Sequence, residues 1–133
     1  MKQVSIYAEN RKGAMLEITG ILLEERINIL GSVTNDSAEY GIIRMIVDAP
    51  EKASAALEKK GYLCRLTEVI GVEVEDEVGN LNKLLGDLLN TNINVNYIYL
   101  SFNRESGKPI MVFSCPDAAE VRDSLRTKVY TAM

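Results

Sequence analysis

The sequence contains no histidine. Ser-His-Asp and Cys-His catalysis are thereby excluded, and so is histidine ligation of a metal. Only two cysteines occur, Cys64 and Cys115, with no CxxC pairing. Two distant cysteines make no structural zinc site. They read as buried reduced thiols, which makes the cytoplasm the expected compartment. No P-loop and no GxGxxG sequence is present, so neither of those phosphate-binding loops is expected. No apolar run approaches the roughly 18 residues of a membrane helix. Met1-Lys2-Gln3-Val4-Ser5 opens into a strand pattern with no signal-peptide core. Positive charge is also short: 15 Lys and Arg stand against 19 Asp and Glu, a net charge of −4. Nucleic-acid binders usually carry a basic patch, and none stands out. The cluster Glu73, Glu75, Asp76, Glu77 gathers carboxylates. Strand alternation puts Glu73 and Glu75 on one face, a solvated edge rather than a hard-cation cage. The expectation is a protein with no catalytic residue, no metal site and no cofactor.

What is present is ordinary globular material: 133 residues, 47% hydrophobic and 26% charged. The organising stretch is Glu9-Asn10-Arg11-Lys12-Gly13-Ala14-Met15-Leu16. Before it, Val4, Ile6 and Ala8 alternate with Gln3, Ser5 and Tyr7, the period of a strand. After it, Met15, Ile18 and Leu22 fall at helical spacing, and Leu16 and Leu23 widen the apolar stripe. Asn28 leads into a strand from Ile29 to Thr34, and the turn formers of 35–41 connect it to the apolar strand Ile42 to Val47. Pro50 suits a helix start, Gly61 a helix end, and Tyr62 to Glu68 a fourth strand.

The pattern then recurs 66 positions on, from Gly13 to Gly79. Glu9 and Glu75, Gly20 and Gly86, Leu22 and Leu88, Leu23 and Leu89 are identical at this offset. So are Ile27 and Ile93, Asn28 and Asn94, Gly41 and Gly107, Pro50 and Pro116, Ala53 and Ala119. These matches fall at turns and core positions, where backbone physics is most restrictive. A strand from Gly71 to Glu75 precedes a helix with leucines at 81, 84, 85, 88 and 89, the spacing of one buried face. Asn94 starts a strand through Phe102, Ile110 to Phe113 forms the next, and Pro116 opens a helix carrying Ala118, Val121 and Leu125. Lys128 to Met133 leaves room for a stub of an eighth strand. The expected class is α+β: two ferredoxin-like βαββαβ modules, 1–68 and 69–133, each an antiparallel sheet with helices on one face. An RNA-binding module shares this order. Tyr97 and Tyr99 on one strand face match it in part, but the basic flanks and the RNP1 pattern are absent.

Both halves resemble ACT domains, small regulatory modules that bind amino acids. Glu9 to Leu16 resembles the ACT loop motif, usually Asn or Asp, Arg, Pro, Gly and an apolar residue; Lys12 and Val78 stand where the family usually has proline. Arg26-Ile27-Asn28-Ile29 resembles the start of the second ACT strand. In the similar serine-sensing regulatory domain of phosphoglycerate dehydrogenase, the loop and strand-start asparagines hold the effector. The resemblance implies that Asn10 and Asn28 do so here, with Asp76, Gly79 and Asn94 in the second half. The candidate ligand set is Asn10, Arg11, Lys12, Gly13, Ala14, Asn28 and Ile29, with Asp76, Val78, Gly79, Asn80, Asn94 and Val95. Helix-start N–H groups suit a ligand carboxylate, and side-chain amides can bond both the carboxylate and the ammonium. The reading is a small tandem ACT-like regulatory protein that binds a free amino acid at its strand–helix loops and at module interfaces, sensing the amino-acid level. It is expected to be at least a homodimer, with no nucleic-acid or membrane partner. The alternative is an interaction module with no small ligand, whose loops only cap helices. Tyr7, Tyr97 and Tyr99, opposite the helices, mark the face expected at an interface.

Overall fold

The computed structural model describes residues 1–9, 11–35, 40–128 and 130–133. Asn10 and most of the first hairpin turn, Asp36 to Glu39, lie outside the described residues. The chain forms two compact units. The first module spans Lys2–Thr67; the second spans Glu68–Met133 and takes in Met1. The Met1 carbonyl accepts from the Val69 N–H at 2.9 Å.

In the first module the order is β1 (Lys2–Glu9), α1 (Ala14–Glu24), β2 (Ile29–Asn35), β3 (Tyr40–Val47), α2 (Pro50–Lys59) and β4 (Leu63–Glu68). The second repeats it as β5 (Ile70–Glu73), α3 (Asn80–Asn90), β6 (Tyr97–Phe102), β7 (Pro109–Ser114), α4 (Ala118–Thr127) and β8 (Thr131–Ala132). The sheets run β2-β3-β1-β4 and β6-β7-β5-β8. Each is a ferredoxin-like α+β module, as the pattern implied. Val4 pairs with Met45 and Glu9 with Tyr40, while Ser32 pairs with Met45 and Asn35 with Ile42. The eighth strand is the expected stub, Val72 pairing with Ala132.

The alternation in β1 decides which face meets the helices. Val4, Ile6 and Ala8 pack with Ile43 and Met45 against Ile18 and Leu22 of α1 and Ala53 and Leu57 of α2. Ile70, Val72, Met111 and Phe113 pack likewise against Leu84, Leu88, Val121 and Leu125. Gln3 and Ser5 alternate as expected, yet both are buried. The Gln3 amide donates to the Ser5 hydroxyl at 3.0 Å, as a buried polar pair must to offset lost water. Tyr99 is also buried, while Tyr7 and Tyr97 are half-buried.

The leucine-rich face of α3 is narrower than its sequence suggested. Only Leu84 and Leu88 are buried; Leu81 and Leu85 are more than a third exposed and Leu89 is 75% exposed. The same holds for α1, where Ile18, Ile21 and Leu22 are buried but Met15, Leu16 and Leu23 are not. A helix on a sheet presents one row of side chains, and the row beside it faces outward. The repeat also changes register before β7: Val4 pairs with Met45 and its equivalent Ile70 with Phe113, so the offset grows from 66 to 68, and the following helix keeps it. Pro50 is the first residue of α2, but α4 begins at Ala118, after Pro116 and an Asp117 in left-handed conformation. The partner of buried Ala53 is therefore Val121, 68 positions on, and Ala119 is exposed. Strand β6 begins at Tyr97 rather than Asn94. The chain leaves α3 through a left-handed Asn92, and sheet contact starts with the Asn96 N–H on the Ser114 carbonyl at 2.8 Å.

Adjacent leucines on α3 should differ sharply in unfolding experiments. Leu84→Ala is expected to cost about 2–5 kcal/mol through an unfilled cavity. Leu85→Ala should cost clearly less, because that side chain is already more than a third exposed. Denaturant unfolding of the two variants checks the assignment.

Candidate ligand site

The described parts of the loops that join the first strand of each module to its first helix share their backbone hydrogen bonds. Arg11 N–H donates to the Glu9 carbonyl at 2.8 Å, and Glu77 N–H to the Glu75 carbonyl at 3.0 Å. Glu17 N–H meets the Gly13 carbonyl and Lys83 N–H the Gly79 carbonyl, both at 3.0 Å. Gly13 caps α1 at φ 87°, ψ −2°, and Gly79 caps α3 at φ 89°, ψ 0°. This left-handed conformation is why glycine stands at both positions. Crowding is not the reason, since a Cβ on either would meet no atom within 4 Å. Neither helix start carries a side-chain cap among the described residues. The first N–H of each helix, Ala14 and Asn80, donates to the carbonyl of Arg11 and Glu77 at 3.3 Å, and the positive end of the helix dipole lies behind both loops.

The remaining candidates divide by location. Arg11 and Lys12 are exposed on the first loop, and Ala14 is buried beneath it. Asp76 and Val78 are exposed on the second, while the Asn80 amide donates to the Glu75 carbonyl at 2.9 Å. Asn28 and Asp48 clamp the start of β2. Asn28 N–H donates to Asp48 Oδ1 at 3.0 Å, and Asp48 N–H to the Asn28 carbonyl at 3.1 Å. Ile29 and Val95 pack against the two cores, and Asn94 is exposed. The loop and the strand start lie at opposite ends of a module. Helix α1 carries the chain from Ala14 to Glu24, about 16 Å, before β2 begins. The fold brings Arg11 to Ala14 together, and Asp76 to Asn80 together. It does not bring Asn28 or Asn94 to the loop of its own module.

Charge surrounds the first loop. Arg11 Nη2 bridges Glu17 Oε2 at 2.8 Å and donates to the Tyr62 hydroxyl at 3.4 Å. That hydrogen bond, and a second from Tyr62, hold the Glu17 carboxyl below its usual range. The Tyr62 phenol is pushed up, first by burial and then by Glu17. In the second module burial and the Asp87 carboxylate, which accepts from its hydroxyl, push Tyr130 up to about 12. The cysteines, expected to be buried, are half-buried free thiols; burial raises Cys64 to about 11 and lifts Cys115 in the same direction.

Two matched strand–loop–helix units, each completed as βαββαβ, are what the ACT domain pair pattern describes, and that family pattern matches residues 1–130. The chain is an ACT domain pair. A crystal structure of a Bacteroides thetaiotaomicron protein is 30% identical, covering 99% of this chain and 90% of that one, with a TM-score of 0.89. The ligand-free regulatory subunit of aspartate kinase from Thermus thermophilus shares the fold at 19% identity and TM-score 0.66, over 90% of this chain and 85% of that one. Its counterpart from Thermus flavus does so at 18% identity and TM-score 0.63, over 86% and 82%. No curated protein matches the chain.

Sequence reasoning on this ACT pair missed Tyr62 and Tyr130. Their N–H groups bond the carbonyls of Leu57 and Leu125 at 3.1 and 3.3 Å, placing them as equivalents 68 positions apart. A search at the fixed offset of 66 passes over them.

The first loop makes a pH prediction. Because Arg11 lowers the folded pKa of Glu17, their pairing is present above the ordinary carboxylate range and lost as pH falls through the folded value. In an NMR titration the Glu17 carboxyl should protonate at lower pH than other exposed glutamates, and Arg11→Met should move it back up. Gly13→Ala and Gly79→Ala should each destabilise the fold by about 1 kcal/mol, the cost of a side chain in left-handed backbone. Thermal unfolding measures that directly.

Proposed function

We propose that this ACT pair is a non-catalytic regulatory protein that binds a free amino acid at its strand–helix loops and reports its level to a partner. The observation that carries this reading is the helix start built twice: a left-handed glycine with no side-chain cap, at the positive end of a helix dipole. Such a start suits the ligand's carboxylate. The residues assigned to binding are Asn10, Arg11, Lys12, Gly13, Ala14, Asn28 and Ile29, with Asp76, Val78, Gly79, Asn80, Asn94 and Val95. Loop and strand start occupy opposite ends of one module, so one ligand does not touch both within it. The exposed apolar rows on α1 and α3, with Leu100 and Phe102 half exposed on β6, support a homodimer. The free thiols favour a reducing compartment such as the cytoplasm. No helix among the described residues is long and apolar enough to cross a membrane.

A second reading, a protein-interaction module without a small ligand, is favoured by those same exposed rows. Thermal stability screened against the twenty amino acids separates the two. One amino acid at a hundredfold its Kd should add about 2.7 kcal/mol; a response to none rejects the sensor reading. For that amino acid, Asn28→Ala should weaken binding by about 1.5–3 kcal/mol without unfolding the protein, because the clamp to Asp48 uses the Asn28 backbone. Unchanged affinity by calorimetry would remove Asn28 from the site. Light scattering at micromolar concentration should give a mass well above the chain's 14.8 kDa.

A further inference from the structure

The two modules build one corner of their sheets from opposite chemistry. In the second module α4 packs beside β8, so α3 covers the β6 side of the sheet. One flank of α3 is polar: Lys83 Nζ stands 5.8 Å from the centre of the Tyr130 ring, and Asp87 accepts from the Tyr130 hydroxyl. Helical spacing puts Leu81 and Leu85 on the other flank, toward β6. Both are more than a third exposed. Leu100 and Phe102 of β6 are half exposed, on the sheet face that carries the helices, since Leu100 pairs with the core residue Met111. In the first module the contact across this corner runs from Thr34 Oγ1 to Met15 Sδ at 3.9 Å. Met15 and Thr34 are the counterparts of Leu81 and Leu100 at the 66-residue offset.

The fold does not require this apolar corner. Thr19 and Thr34 of the first module stand where the second has Leu85 and Leu100, and Asp36, outside the described residues, is the sequence counterpart of Phe102. The edge beside the corner is also unguarded. Among the described residues β6 has β7 on one side and no strand on the other. Tyr97 to Phe102 carry no charge, and their register with β7 runs unbroken from Tyr97–Ser114 to Phe102–Pro109. Edge strands are ordinarily blunted by charge, shortness or a bulge. Strand β4 has Arg65 and Glu68, β8 is two residues long, and β2 shifts register between Ile29 and Gly31.

We propose that a second copy of this chain docks on the β6–α3 corner, with β6 antiparallel to its twin across a two-fold axis, and that the first module's corner takes no part. The choice of occupant follows from charge and symmetry. An uncharged strand beside an uncharged flank offers nothing to a charged partner. A strand run antiparallel to its own copy matches open N–H groups with open carbonyls, and sets Leu81, Leu85, Leu100 and Phe102 against the same residues. This inference deepens the homodimer of the functional proposal and rests on it, naming the surface that forms it.

Light scattering at micromolar concentration tests it by exchanging residues between the modules. Leu85→Thr with Leu100→Thr, and separately Phe102→Asp, install first-module residues that the same backbone already accepts. The parent should show twice the chain's 14.8 kDa, and both variants should fall toward the single-chain mass. Leu16→Asn, which places the residue of position 82 on the first module's exposed helix row, should keep the parent mass. Melting curves confirm that each variant is folded. Parent mass in both second-module variants overturns the assignment. If Leu16→Asn dissociates the protein and the second-module variants do not, the homodimer stands and this inference fails. A parent that is itself a single chain sinks both.

Discussion

Each module depends on one residue in left-handed backbone where the first strand hands over to the first helix. At φ near 88° an L-residue would cost roughly 1–2 kcal/mol, so Gly13 and Gly79 fix the turn. The turn aims α1 and α3 across their sheets, and that aim selects which apolar row is buried: Ile18 and Leu22 in one, Leu84 and Leu88 in the other. Glycine has a second consequence. A serine or aspartate cap contributes about 1 kcal/mol and occupies a first-turn N–H; glycine leaves that donor open. The conformation that makes the fold is therefore also the one that leaves a polar helix start for a ligand.

On this constant backbone the charges have diverged. Positions 11 and 17 hold Arg and Glu, and their counterparts 77 and 83 hold Glu and Lys. An exposed ion pair such as Arg11–Glu17 contributes little to stability. Tyrosine is retained on both sides, and its apolar ring with a polar tip suits a cavity wall that must meet both core and solvent.

Much of this architecture was legible in the sequence because it follows from local periodicity. Alternation in Val4, Ile6 and Ala8, helical spacing in Ile18 and Leu22, and the glycines at 13 and 79 each act over a few residues. Together they give two βαββαβ modules. Tertiary structure decided what local pattern leaves open. A stripe of five leucines on α3 is compatible with several helix rotations, and packing against β5 and β7 buries only Leu84 and Leu88. Gln3 and Ser5 lie on the strand face opposite the core, yet both are buried and bonded to each other. Asn28 resembles a partner of the loop in sequence, yet the antiparallel path through α1 carries it to the far end of the module. Tyr62 and Tyr130 were hidden because the repeat slips from 66 to 68 residues before β7: Met45 faces Val4, while Phe113 faces Ile70. Spacing along a chain fixes which residues share a face; which faces and ends meet depends on long-range packing, and no local pattern encodes it.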